Sequence, residues 1–139
     1  MRRVIAIAVL SAMAAASAAQ AETWKPYAKT PAGLEWSYDA DYSYRDQQSG
    51  KIVVLQAIGK PGATPRMGPS APGAADGVGQ VVALDCKAKT LILLSGYSPK
   101  KPLEILANWR TENPAKPKGA EDKALLDSAC QGVEALPTK

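Results

Sequence analysis

The sequence predicts an α+β fold, in which an antiparallel β-sheet carries a C-terminal helix and a disulfide joins the two. Segments with strand character follow one another across short turns, which is typical of antiparallel hairpins. A segment near the C-terminus has helical periodicity instead. The two cysteines lie in the third strand segment and in this helical segment. The strand segments are residues 36–45, 51–58, 79–87 and 90–97.

The N-terminal 21 residues have the layout of a cleavable secretory signal. Arg2 and Arg3 form a positive start, an apolar run begins at Val4, and small residues follow up to Ala21, after which we predict cleavage. A transmembrane anchor is the alternative, but a spanning helix needs about 20 strongly apolar residues, and this run is shorter and rich in alanine. We expect no lipid attachment, because no cysteine lies near the cleavage site, and no membrane span in the mature chain.

Residues 22–139 are the size of a single exported domain. Loss of Arg2 and Arg3 lowers the net charge from +4 to about +2, and the lysines are scattered, so we expect no nucleic-acid binding. The chain has no histidine, which removes the usual general base and the common zinc ligand. We therefore predict a protein that is not an enzyme, with no cofactor and no metal.

The first half of the mature chain reads as an extended lead-in followed by a hairpin. Residues 22–32 form the lead-in, and residues 36–45 alternate aromatic and polar side chains, with a break near Asp39–Asp41. Residues 46–50 are a turn, and residues 51–58 form a buried strand. The segment from Gly59 to Gly77 holds five glycines and four prolines, which indicates a long mobile loop. We interpret it as a tolerated insertion rather than a binding loop.

The second half contains two further strands, residues 79–87 and 90–97, and then a helix. Residues 103–109 form a short helical turn or a strand, and residues 113–119 form a loop. The helix opens at Ala120, where an acidic first turn suits the helix dipole, and Gly132 is its predicted end. Its apolar face carries Leu125, Leu126, Ala129 and Val133.

Cys86 and Cys130 are predicted to form a structural disulfide, because an even cysteine count in an exported chain indicates a bridge. A redox-active pair is the alternative, but exchange enzymes usually carry Cys-x-x-Cys, and these cysteines are far apart. The bridge would tie the C-terminal helix to the third strand segment.

Other candidate motifs favour no specific chemistry. Ser98 and Lys101 match the Ser-x-x-Lys pattern of acylating enzymes, but Pro99 and Pro102 favour a turn over the helix that this motif requires. Asp39 and Asp41 resemble the start of a calcium-binding loop, whose later positions do not fit. We expect Asp39 and Asp41 to lie on a solvated strand face rather than to act together as a carboxylate pair.

An aromatic row on the first strand segment is the candidate binding surface. These side chains would form a platform for a sugar or a protein partner, or else the core face of the sheet. Because the chain has no phenylalanine, we favour the core. The row consists of Trp36, Tyr38, Tyr42 and Tyr44.

The chain resembles the surface-adhesin protein E family of bacterial exported domains, over about residues 34–131. The matching features are an aromatic-rich strand ending in Asp41–Arg45, a turn at Gly50, the strand 51–56, Leu84-Asp85-Cys86, a strand ending at Tyr97-Ser98, Trp109, and a helix with Leu125, Leu126 and Cys130. The resemblance implies a sheet packed with a helix and a Cys86–Cys130 bridge. It also implies a non-enzymatic role in binding a protein or glycan at the cell envelope. One rival is a periplasmic glycan- or peptide-binding or enzyme-accessory protein, and the other, which we favour least, is an enzyme that uses carboxylates alone, such as Asp39 with Asp41. We expect a periplasmic or secreted location, and the sequence sets no oligomeric state.

Overall fold

The computed structural model describes residues 23–62, 77–96 and 100–139. These residues form an antiparallel six-stranded sheet with one C-terminal helix, so the predicted α+β class is confirmed. The strands are β1 Trp24–Lys29, β2 Glu35–Asp39, β3 Tyr44–Arg45, β4 Ile52–Gly59, β5 Gly77–Asp85 and β6 Thr90–Gly96, and the helix is α1 Ala120–Ala129. Single 3-10 turns occur at Trp109–Thr111 and Val133–Ala135. The predicted signal, Ser98 and most of the predicted mobile loop lie outside the described residues.

The strands lie in the order β1-β2-β4-β5-β6, and β3 pairs with β4 beyond the end of β2. The predicted extended lead-in was not recognised as a strand, and its residues Trp24–Lys29 form the edge strand β1. Both Lys25 and Lys29 are exposed on this strand, which also contains Pro26. Lysine and proline on an edge strand disfavour pairing with another chain.

Two apolar clusters lie on opposite sides of the sheet. Alternation along β4 sends Ile52 and Val54 towards α1, and Val53 and Leu55 towards the opposite side. We call these the helix side and the far side. The far side is covered in part by the segment after β6, whose Trp109 is only 3% exposed. Burial on both sides explains the unbroken apolar run from Ile52 to Leu55.

Helix α1 packs mainly against β1 and β2. Its apolar face matches the prediction, since Leu125, Leu126 and Ala129 are buried and Val133 packs at their edge from the following turn. The predicted disulfide is present, and it ties Cys130 at the helix end to Cys86 directly after β5. Among the described residues, no helix has the length and hydropathy needed to cross a membrane.

Two predicted boundaries were wrong. Gly59 ends β4 and Gly77 begins β5, so the ends of the predicted loop belong to paired strands. The segment 103–109 is neither helix nor strand up to Asn108, and a 3-10 turn begins at Trp109. The antiparallel register places Gly59 opposite Gly77, which explains why a glycine-rich sequence continues the ladder.

The Gly59–Gly77 pair leaves no room for a side chain at residue 77. A Cβ atom there would lie 2.9 Å from the Ile58 carbonyl oxygen and 3.3 Å from the Gly59 Cα. Since both contacts are backbone, we expect Gly77→Ala to lower the free energy of unfolding by about 1–3 kcal/mol. Gly96→Ala is the matched control, because a Cβ at that strand glycine meets no atom of the described residues within 4 Å. Equal urea midpoints for the two variants would contradict the predicted close approach.

Candidate functional site

The aromatic row does not lie on one face. Trp36 pairs with Ile58 on β4, whereas Tyr44 pairs with Val53. Residues directly opposite each other in an antiparallel sheet point to the same side, so Trp36 takes the helix side and Tyr44 the far side. Between these two pairings the chain from β2 to β3 contains an odd number of residues more than the matching part of β4. The extra residues lie in the turn after Asp39, so alternate side chains face the opposite side of the sheet beyond that turn.

On the helix side, Trp36 joins Tyr27 of β1 and a pair of amides. The ring centroids of Tyr27 and Trp36 are 6.5 Å apart in a stacked arrangement. The Tyr27 hydroxyl donates to Gln56 Oε1 at 2.7 Å, and Gln56 Nε2 donates to Gln80 Oε1 at 3.2 Å. We call Tyr27, Trp36, Gln56 and Gln80 the aromatic–amide strip. It runs from β1 to β5 across four adjacent strands.

The strip is buried at its centre and half-buried at its ends. Gln56 and Tyr38, which lies opposite it, are buried at 6% and 9% exposure, whereas Trp36 and Gln80 are half-buried. Burial raises the pKa of Tyr27, and Asp122 and Glu121 of α1 raise it further. The phenol therefore stays protonated and keeps donating to Gln56. This arrangement can offer a ligand the Trp36 ring on β2 and the Gln80 amide on β5, both on the helix side of the sheet.

The other half of the row packs into the far side. Tyr42 and Tyr44 lie 6.3 Å apart by ring centroids and pack with Trp24 against the cluster that contains Trp109. Burial is the main cause that raises the pKa of both tyrosines. Tyr42 and Tyr44 therefore lie at the edge of the core, which is the interpretation of the row that the sequence favoured.

A polar network around Asp46, with an ion pair at its centre, was not predicted from the sequence. Asp46, at the start of the β3–β4 turn, is 1% exposed and accepts from Arg110 Nε at 2.8 Å and from the Ser49 backbone N–H at 2.9 Å. Arg110 Nη2 and the Ser49 hydroxyl also donate to it. The Arg110 guanidinium lies 4.7 Å from the centre of the Trp109 ring. An Asp three residues before a Ser in a turn was the local signal, but nothing indicated Arg110.

This network has the electrostatics of a structural clamp. The Arg110 hydrogen bonds hold the pKa of Asp46 well below its usual value of 3.8, and those from Ser49 add to the effect. Arg110 in turn has a raised pKa because of Asp46. The ionised pair joins the β3–β4 turn to the segment that covers the far side.

Asp39 and Asp41 are not a pair on a solvated strand face. Asp39 is 4% exposed, and its Oδ1 accepts from the backbone N–H groups of Thr23 and Asp41 at 3.0 Å each. Asp41 lies in the turn beyond β2, so the two carboxylates do not share a strand face. Their role is to close the turn that reverses the alternation. Among the described residues, no three His, Cys, Asp or Glu side chains group as a metal site.

Comparison of the chain with family models, curated proteins and solved structures found no match. The resemblance to the surface-adhesin protein E family therefore rests on the sequence features given above, and it stays a prediction.

Proposed function

We propose that the protein is an exported, non-enzymatic binding module of the bacterial cell envelope, periplasmic or secreted. The signal-like N-terminus and the resemblance to surface-adhesin protein E support this proposal. The Cys86–Cys130 bridge is in keeping with it, because disulfides persist mainly in oxidising compartments.

The aromatic–amide strip is the observation that carries the binding role. Ligand sites combine aromatic surface with a few polar groups that fix orientation, and the strip places half-buried Trp36 and the half-buried Gln80 amide on the same side of the sheet. Aromatic side chains contribute large contact areas with defined geometry. The same composition supports a second candidate function, namely recognition of a cell-wall glycan or peptide.

A pull-down of envelope fractions and matrix proteins with the purified exported protein tests the binding role. We expect retained partners to be lost with Trp36→Ala and kept with Trp24→Ala. Trp24 is the matched control, because it is also a half-buried strand tryptophan but packs on the far side. Clean failure on every fraction would count against an envelope-binding module.

Tryptophan fluorescence separates the two candidate functions. If the ligand is a small glycan or peptide, cell-wall fragments will change the emission saturably, and Trp36→Ala will weaken the affinity roughly tenfold. An adhesin-type partner predicts no saturable response to such fragments. Unchanged affinity in Trp36→Ala alongside a loss in Trp24→Ala would remove the strip as the site.

A further inference from the structure

A concave surface lies on the helix side, at the sheet end that carries the disulfide. It has a volume of about 390 Å³ and lies between the β3–β4 turn, the end of β5 and the 3-10 turn Val133–Ala135. Its floor includes Ile52, Val133 and Cys86, and its rim carries Arg45, Lys51 and Lys87. We call this surface the basic groove.

The fold holds Arg45 in a fixed position in the groove. Arg45 is half-buried and pairs across strands with Ile52, which pairs in turn with Leu84. One guanidinium nitrogen, Nη2, donates to the Val133 carbonyl at 2.9 Å. The other two nitrogens donate to none of the described residues. An anchored guanidinium with unused donors loses little entropy when it binds a planar anion.

The three cations of the groove outnumber its two carboxylates, and none of the three forms an ion pair within the described residues. No carboxylate of the described residues lies within 4.0 Å of a charged nitrogen of Arg45, Lys51 or Lys87. Asp85 also lines the groove, but its Oδ1 accepts from the backbone N–H groups of Lys87 and Ala88 at 3.0 and 2.9 Å. The remaining carboxylate, Glu134, is exposed and has no hydrogen-bond partner among the described residues.

We propose that the basic groove binds a small, multiply charged anion that carries carboxylate or phosphate groups. The guanidinium of Arg45 would take one anionic group in a forked arrangement, and the ammonium groups of Lys51 and Lys87 would take the others as point charges. The apolar floor excludes water from one side of the ligand, which strengthens these charge contacts. The proposal is independent of the aromatic–amide strip.

Isothermal titration with citrate and with pyrophosphate as probes tests the groove and distinguishes carboxylate from phosphate ligands. We expect saturable binding of at least one probe at low salt, and weaker binding as the ionic strength rises, because the rim charges are screened. The probe that binds more tightly identifies the class of anion. Absence of saturation with both probes would overturn the proposal.

Substitutions then place the binding in the groove. The double variant Lys51→Gln/Lys87→Gln is expected to bind about tenfold or more weakly, and Glu134→Gln to bind severalfold more tightly, because it removes a repelling charge. Lys25→Gln/Lys29→Gln on β1 changes the net charge equally and should bind as the unmodified chain does. Equal weakening in both double variants would assign the binding to net charge alone and would refute the groove.

Discussion

Replacing Cys86 and Cys130 with alanine is expected to lower the free energy of unfolding by about 4 kcal/mol. The bridge closes a loop with a sequence separation of 44 residues, and the chain-entropy relation for a loop of that size gives this magnitude. The whole stability of a domain of this size is about 5–15 kcal/mol. Urea unfolding of the oxidised protein and of the double variant measures the difference directly.

Two controls make this test specific. Either single substitution should cost nearly as much as both, because one cysteine is enough to remove the bridge. Reduction of the unmodified protein should lower its urea midpoint to a similar value. If the double variant unfolds at the same urea concentration as the oxidised protein, the bridge does not brace the fold.

The second large effect is expected for Asp46→Asn, which should lower the free energy of unfolding by about 3 kcal/mol. The substitution is nearly isosteric, but it replaces one of the two acceptor oxygens with an NH2 group. That group then faces the donors of Arg110 and Ser49. An unsatisfied or opposed polar group inside a protein costs about 1–3 kcal/mol, and more when a charge is involved. Asp127→Asn, on the exposed side of α1, is the control and should change the stability by less than about 0.5 kcal/mol.

The cost of Asp46→Asn should depend on pH in a defined direction. Folding depresses the pKa of Asp46 below its usual value of 3.8, so its stabilisation is fully present above that value. The stabilisation is lost as the pH falls from there towards the folded pKa. The difference in unfolding free energy between the two proteins should therefore be constant near neutral pH and shrink at acid pH. A difference that does not change between pH 6 and about pH 2 would contradict the ionised clamp.

Local patterns in the sequence were sufficient to predict most of the sheet and the helix. The unbroken apolar run after Gly50 reflects burial on both sides of β4, and the apolar spacing of Leu125, Leu126 and Ala129 reflects burial of one side of α1. β1 was missed as a strand because Pro26 and two lysines give it the composition of an exposed segment. Those same residues suit an edge, which only its pairing with β2 reveals.

The candidate site was only partly predictable. Trp36 was recognised as a candidate binding residue, but Tyr27, Gln56 and Gln80 were not, since they come to the same side of the sheet as Trp36 only through pairing of β1, β2, β4 and β5. Grouping Trp36 with Tyr44 assumed that the alternation continues in the same phase across the break near Asp39–Asp41. The turn that contains Asp41 reverses it, and such a reversal depends on the number of residues the turn inserts rather than on their types.

By itself, the sequence determined the fold class, the position of the C-terminal helix and the pairing of Cys86 with Cys130. These follow from periodicity and from a cysteine count that allows a single pair. The tertiary structure alone decided which aromatic residues share a side, that Asp46 meets Arg110, and that Arg45, Lys51 and Lys87 line one groove. Each of these depends on strand register and on chain segments distant in sequence, and register is an outcome of packing the whole sheet.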